Sequence, residues 1–382
     1  MKFIRNEWVL FIGLLTVLFF KTIGNDLLLG SSSSVLYWSA AGFLFIIVML
    51  SIFGVVKHSD ALAINLGDPL GTLILTLSVI SLEVIMISSV MLTGDSNPVL
   101  ARDTMFAVIM SILNGLVGVA LLIGGHKYHI QKYNIQGINS YLVAIVPLAI
   151  LCLILPNFTS KNEFGEMSFI LASALVVISI ILYGIFLYVQ TKSHSYFFID
   201  EDNDHTDEHH SILGSNTYHF LLLFGYLIVV IFLAKSIAIP IDASIGHLGA
   251  PAALGGLVVA LLVLAPEGVG AIKASLNNQL QRAMNLFFGS ILATISLTVP
   301  AVIVISNMIG EPIILGLEPA QMILLIASLM VASISFRHGK TNILNGVTHL
   351  FLFFIRDSAA IFRIYFAEDA DTFVTIAKTC CL

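Results

Sequence analysis

Apolar stretches close to the length of a bilayer crossing alternate with short polar breaks along almost the whole chain. Eleven can be drawn, near 8–29, 35–56, 69–92, 104–124, 139–156, 168–190, 218–239, 251–272, 284–306, 313–335 and 341–355. About 20 apolar residues in a helix cross the hydrocarbon core; the last stretch is short for this. The breaks carry turn chemistry, as in Gly94-Asp95-Ser96-Asn97-Pro98, Pro156-Asn157 and Gly310-Glu311-Pro312. The expected fold is therefore an all-α polytopic membrane protein with about eleven transmembrane helices. Composition agrees: 58% of the residues are hydrophobic and 10% charged, against about 25% charged in an ordinary soluble globule. Lys2 and Arg5 before the first apolar run resemble a signal peptide, but no A-x-A-type cleavage site follows, so the run reads as a membrane helix.

The basic residues orient these helices. With a cytoplasmic N-terminus, that side receives Lys2, Arg5, Lys57, Lys127, Lys132, Lys192, Lys273, Arg282, Arg337 and Lys340, and the other side Lys21, Arg102, Lys161 and Lys235. The bias follows the positive-inside rule, although Arg356, Arg363 and Lys378 in the tail fall on the outer side.

Within this frame one device occurs twice. Leu66-Gly67-Asp68-Pro69 leads into an apolar helix carrying Glu83 and then Ser111-Ile112-Leu113. Leu248-Gly249-Ala250-Pro251 leads into an apolar helix carrying Glu267 and then Ser290-Ile291-Leu292. The offsets are 182, 184 and 179 residues. The second glutamate helix comes five helices after the first, so the copies insert with opposite orientation. The expected organisation is an extra N-terminal helix (1–30), a first five-helix repeat (35–190), an acidic loop (191–217), a second five-helix repeat (218–355) and a tail (356–382). Inverted repeats build a shared site near the bilayer midplane.

A glutamate in an apolar helix is costly and marks a functional site by default. Burial favours a proton on the carboxyl, and a bound cation favours its release. Glu83 and Glu267 are thus the candidate ligands for a transported cation in competition with protons. The alternatives are a protonated Glu83 bonded to a neighbouring helix and a Glu267 solvated at its helix end. Thr72 and Thr76 share the stripe of Glu83 and offer neutral oxygens to a hard cation. Ser111 and Asn114 on the fourth helix, and Ser290 and Thr294 on the ninth, either join the cavity or serve close helix packing, together with Gly115, Gly118, Asn285, Gly289 and Thr298. Pro266 and Gly268 around Glu267 are expected to loosen that helix and free carbonyls. Asn277 and Asn278 fit a vestibule or a plain cytoplasmic turn.

The segment Asp200, Glu201, Asp202, Asn203, Asp204, His205, Thr206, Asp207, Glu208, His209, His210 joins the two halves. It is either a regulatory, cation-concentrating loop or a solvated linker. Asn157-Phe158-Thr159 matches a glycosylation sequon, a short pattern of little weight. The three cysteines give neither a disulfide framework nor metal spacing. The sequence contains no G-x-x-x-x-G-K-[ST] loop and no zinc spacing. The reading is a secondary transporter without a resident cofactor, not an enzyme. Its substrates are inorganic cations and protons, its solvent the bilayer, and nucleic acid is no partner. A channel would need a continuous polar pore, and a membrane-embedded enzyme a nucleophile or metal set beside the glutamates. Oligomeric state is not encoded in these patterns.

Gly67 to Val84 (GDPLGTLILTLSVISLEV), Ala265 to Lys273 (APEGVGAIK), Asn277 to Ser290 (NNQLQRAMNLFFGS) and Gly339 to Gly346 (GKTNILNG), with the acidic, histidine-bearing central loop, resemble the bacterial calcium/proton antiporters of the ChaA type in the cation/Ca²⁺ exchanger superfamily. The resemblance covers roughly residues 40 to 352. It implies exchange of Ca²⁺, and in this type also Na⁺ or K⁺, for H⁺ across the inner membrane, with Glu83 and Glu267 as the superfamily's two repeat glutamates. The wider superfamily places Gly-Asn three to four residues before each of these glutamates; here Val79-Ile80 and Val263-Leu264 stand there, so its amide ligands are not carried over. The tail after Ile355 has no counterpart in the resemblance.

Overall fold

A computed structural model describes residues 7–24, 28, 35–66, 77–85, 87–88, 99–159, 165, 167–199, 215–248, 253–309 and 313–355. The described chain is helical almost throughout. We label α1 (Trp8–Phe19), α2 (Val35–Leu66), α3 (77–85), α4 (Leu100–Met110, continuing through Tyr128), α5 (Ile135–Leu153), α6 (Phe169–Tyr188), α7 (Asn216–Leu248), α8 (Ala253–Leu276), α9 (Leu280–Ala293, continuing through Ile309), α10 (Pro319–Ser335) and α11 (Ile343–Ile355). Among the described residues six helices are long and apolar enough to cross a membrane, and Trp8–Thr22, Pro319–Ser335 and Ile343–Ile355 are shorter apolar helices.

Helix starts follow local chemistry. Asn134 caps α5 by accepting from the backbone N–H of Gln136 at 2.9 Å and of Gly137 at 3.3 Å. Ser168 caps α6 by accepting from Leu171 N–H. Glu318 and Gln321 form a capping box at α10, with Pro319 in its first turn. Several boundaries differ from those drawn on hydropathy, because polar residues extend the helices beyond the apolar runs. Thus α2 runs on to Leu66, α4 starts at Leu100 and ends at Tyr128, and α7 reaches Leu248.

The loops sort to two ends. At one end, Glu7 meets Lys57 and His58 from α2 and Tyr218 and Tyr226 from α7. At the same kind of end, Lys127 Nζ and Tyr128 OH after α4 both donate to the Leu276 carbonyl after α8 at 2.8 Å. A two-residue antiparallel pairing, Gln131 with Thr341 and Lys132 with Lys340, ties the α4–α5 loop to the α10–α11 loop. At the other end, Arg102 of α4 reaches the Gly316 carbonyl, and Asn157 Nδ2 after α5 donates to the Leu317 carbonyl at 2.6 Å. The side chain of the sequon asparagine is therefore bound to the protein.

Two apolar cores organise the helices. One is built from α4, α5, α6, α9 and α10; the other from α1, α2 and α7. α3 and α8 belong to both: Ile80 enters the first core and Val79 and Leu82 the second, while Ala260, Leu264 and Ala271 enter the first and Leu262 the second. Beside the first core, α4 and α11 cross backbone to backbone. A Cβ on Gly346 would stand 2.6 Å from the Leu122 nitrogen, and one on Gly118 would stand 3.0 Å from the Leu350 nitrogen. Small residues make such approaches possible in membrane helices.

Candidate functional site

Glu83 sits on α3 and Glu267 on α8, the two helices shared by the cores. Both line one cavity of about 200 Å³, whose wall also includes Ile80, Tyr141, Gln190, Arg282, Asn285, Gly289, Ser290 and Thr294. The structure thus brings together two carboxylates that lie 184 residues apart in sequence.

Glu83 is 3% exposed. Its Oε2 accepts hydrogen bonds from the hydroxyls of Thr294 at 2.9 Å and Thr298 at 2.8 Å. Its other oxygen, Oε1, is buried without a partner. Glu267 is arranged in the same way: the Ser290 hydroxyl bonds its carboxyl, and Oε2 is buried and unpartnered. A buried oxygen without a donor is costly. Two such oxygens on one cavity form an electron-rich place that a cation or protons would satisfy.

Thr294 and Thr298 can both reach Glu83 because they bracket a π turn, Thr294–Thr298, in α9. A second π turn, Ser111–Leu116, interrupts α4. Such turns commonly mark functional sites. Pro266, expected to loosen its helix, lies within α8, which runs from Ala253 to Leu276. α4 and α9 pack against this helix. Glu267 also lies well inside α8 rather than solvated at its end.

The other candidates divide. Ser290 and Thr294 contact the carboxylates. Asn114 turns the other way: its Nδ2 donates to Ser328 Oγ at 2.7 Å, and its Oδ1 lies 3.2 Å from His349 Nδ1. Its neighbour Gly115 faces Phe353 of α11. This face of α4 therefore serves packing, and neither Asn114 nor Ser111 is among the cavity-lining residues. Ser111 is buried, with its hydroxyl unpartnered. Asn277 and Asn278 are exposed in the tight turn after α8, where Asn278 has a φ of 60° and accepts from Gln131; they do not line the cavity. Thr72, Thr76 and the acidic segment from Asp200 to His210 lie outside the described residues. Among the described residues no group of histidine, cysteine, aspartate and glutamate side chains could hold a metal ion.

Tyr141, Gln190 and Arg282 joined the wall without being anticipated, since nothing in an apolar run says which helix will face it. Also unanticipated is a buried polar cluster between α1, α2 and α7. Glu7 Oε1 accepts from Lys57 Nζ at 2.9 Å and Tyr218 OH at 3.3 Å. Its Oε2 accepts from Tyr226 OH at 3.0 Å and lies 3.2 Å from His58 Nε2. His58 Nδ1 in turn lies 2.9 Å from His219 Nδ1. The signal available was polar residues clustered at the starts and ends of apolar helices. Burial raises the Glu7 carboxyl, but the bonds from Lys57, His58 and Tyr226 outweigh it and hold the group below its ordinary value.

Residues 34–192 and 219–356 match the family described as sodium/calcium exchanger protein. The chain is 46% identical over 311 residues to the sodium-potassium/proton antiporter ChaA of Escherichia coli K12, covering 80% of this chain and 84% of that protein. It is 38% identical over 305 residues to the putative ionic transporter y4hA of Sinorhizobium fredii, covering 79% and 83%. Among solved structures, that of the Ca²⁺/H⁺ antiporter protein YfkE superposes with a TM-score of 0.67 at 17% identity, over 91% of this chain and 98% of that one.

Proposed function

The chain belongs to the sodium/calcium exchanger protein family, and we propose from that premise that it is a secondary antiporter exchanging Na⁺, K⁺ or Ca²⁺ for H⁺ at Glu83 and Glu267. One observation carries this reading: both glutamates, each with a buried unpartnered oxygen, open on the same cavity. Cation and protons compete there for the same oxygens, which is the chemical minimum for exchange. Ser290 and Thr294, with Thr298, steady the carboxylates.

In this proposal the protein lies in the inner membrane with its N-terminus in the cytoplasm and about eleven spans. Helix 1–30 precedes two inverted repeats, 35–190 and 218–355, joined by the acidic segment within 191–217 and followed by the tail 356–382. The sorting of loops to two ends supports such threading. The division into two apolar cores, with α3 and α8 shared between them, supports a rocking or sliding of one core on the other that changes access to the glutamates. The relatives bear names of antiporters and an ionic transporter, which weighs against the channel and enzyme alternatives.

The test is cation-induced dequenching of a pH dye in everted vesicles, run with Na⁺, K⁺, Ca²⁺ and Mg²⁺. Glu83→Gln and Glu267→Gln keep a hydrogen-bonding side chain but cannot cycle a proton. Each is expected to abolish exchange at normal membrane abundance. Wild-type dequenching in either variant removes that residue from the mechanism.

A further inference from the structure

The cavity that holds Glu83 and Glu267 runs along α9. Thr294 and Ser290 reach the two carboxylates, Gly289 and Asn285 follow towards the helix start, and Arg282 in the first turn is exposed. An ion moving along this wall sheds water, and oxygens of the wall must replace that water. Two side-chain amides stand there, Asn285 and Gln190. The Asn285 amide is engaged at both ends: Nδ2 donates to the Phe198 carbonyl at 2.6 Å, and Oδ1 accepts from Gln281 Nε2 at 2.8 Å. Gln190 is engaged at one end. It lies in a π turn, Val189–Ser193, that continues α6, and its Nε2 donates to the Tyr141 hydroxyl at 2.8 Å. Its Oε1 accepts no hydrogen bond among the described residues, and the residue is half-buried. The amide nitrogen is tied back to the protein, and the oxygen is left for the cavity.

Tyr141 fixes where this amide sits. Its side chain is fully buried, with the ring packed on Phe186, Phe198 and Phe288. A Cβ on Gly289 would stand 3.8 Å from the Tyr141 hydroxyl. Gly289 directly precedes Ser290, whose hydroxyl bonds the Glu267 carboxyl. The Gln190 amide is thus held at the level of Gly289, beside the Ser290–Glu267 contact. The unpartnered Oε2 of Glu267 and Oε1 of Glu83 belong to the same cavity.

We infer that Gln190 is a further ligand of the transported inorganic cation: its amide oxygen binds the ion beside Glu267 while Tyr141 holds the amide nitrogen away from it. This rests on the antiporter reading above. Two carboxylates alone leave a hard cation short of oxygens, since Ca²⁺ takes six to eight. Carbonyl oxygens serve Ca²⁺ and K⁺ in the same way. A neutral oxygen adds no charge, so it replaces water without trapping the ion and leaves the competition with protons to the two carboxyls.

The experiment measures binding of Ca²⁺, Na⁺ and K⁺ to the purified full chain in detergent by titration calorimetry, beside dye dequenching in everted vesicles. Gln190→Leu keeps similar bulk without the oxygen. It is expected to weaken binding of each cation about three- to tenfold, the usual effect of losing one polar contact, and to raise the half-saturating concentration by the same factor. Gln190→Glu should move affinity the other way, more for Ca²⁺ than for Na⁺ or K⁺, because the added charge acts twice on a divalent ion. A purely structural role does not give opposite signs. Tyr141→Phe frees the amide and should weaken binding less than Gln190→Leu, with no further loss when the two are combined; an additive loss overturns the positioning by Tyr141. Unchanged Ca²⁺ binding in Gln190→Leu overturns the inference, and so does tighter binding, the result if the amide nitrogen faces the cavity. Should Gln190→Leu fail to insert, Gln190→Glu decides: Ca²⁺ binding no tighter than wild type overturns the inference. A wild type that binds cations without exchanging them sinks the antiporter reading and leaves the binding series to judge Gln190; a wild type that binds none overturns both.

Discussion

Replacing Thr298 by valine keeps nearly the same side-chain volume and removes one hydroxyl from Glu83. That hydroxyl donates to Oε2 at 2.8 Å, and Thr294 donates to the same atom at 2.9 Å. A hydrogen bond to a charged group contributes about 1.5–3 kcal/mol. Water entering the cavity of about 200 Å³ can restore part of the lost bond, so roughly half of the upper figure survives, near 1.4 kcal/mol, a factor of about ten in affinity. The charged form of Glu83, which a cation needs, loses this support. The expected result is a rise of about tenfold in half-saturating cation concentration, measured by dye dequenching across a cation series. Thr298→Ser, which retains the hydroxyl, should behave as wild type, and Thr294→Val combined with Thr298→Val should be worse than either change alone. Unchanged half-saturation in Thr298→Val, in a preparation where Glu83→Gln is inactive, would refute the claim that these hydroxyls support the carboxylate.

Gly346→Ala should lower the detergent melting temperature or membrane abundance sharply, because its Cβ would meet the Leu122 nitrogen at 2.6 Å and overpacking costs about 1–3 kcal/mol or more; Gly184→Ala, with nothing within 4 Å, should be neutral, and equal melting of the two variants would deny the close α4–α11 crossing. Glu7→Gln should destabilise by about 1–3 kcal/mol at neutral pH, since it leaves buried hydroxyl and ring partners poorly matched. The Glu7 carboxyl lies below its ordinary value of 4.5 in the folded chain, so its contribution is full above about 4.5 and is lost as pH falls through the folded-state value; a melting difference that stays constant from pH 7 down to the acid limit would contradict this. Replacing Asp200 to His210 by a Gly/Ser linker of equal length should alter apparent cation affinity or pH profile while exchange persists; complete loss of exchange at normal abundance would mean the essential site includes the loop. Truncation after Ile355 should preserve transport, and an inactive but normally inserted truncation would show that the tail is needed.

The sequence by itself determined the class of the protein and singled out the two glutamates that the structure brings to one cavity. Runs near 20 apolar residues have few alternatives to helices in a bilayer, because every backbone group must be satisfied within the segment. Glu83 and Glu267 were legible for the complementary reason: an acid in such a run is expensive, and finding it twice with a nearly constant offset singles out the pair. The resemblance to calcium/proton antiporters agrees with the family match and the structural neighbours. Tertiary structure alone decided which face of each helix meets which neighbour. In a soluble helix the polar stripe marks the outside, but here lipid-facing and core-facing residues are equally apolar, so the pattern loses its directional content. Asn114 and Thr294 therefore looked equivalent in sequence, yet one is committed to Ser328 and His349 and the other to Glu83. The π turns were not legible in the sequence. Glu7, Lys57, His58, His219 and Tyr226 are separated by up to 219 residues, and only the docking of α1 on α2 and α7 gathers them, since no local rule couples residues whose contact arises from the meeting of three helices.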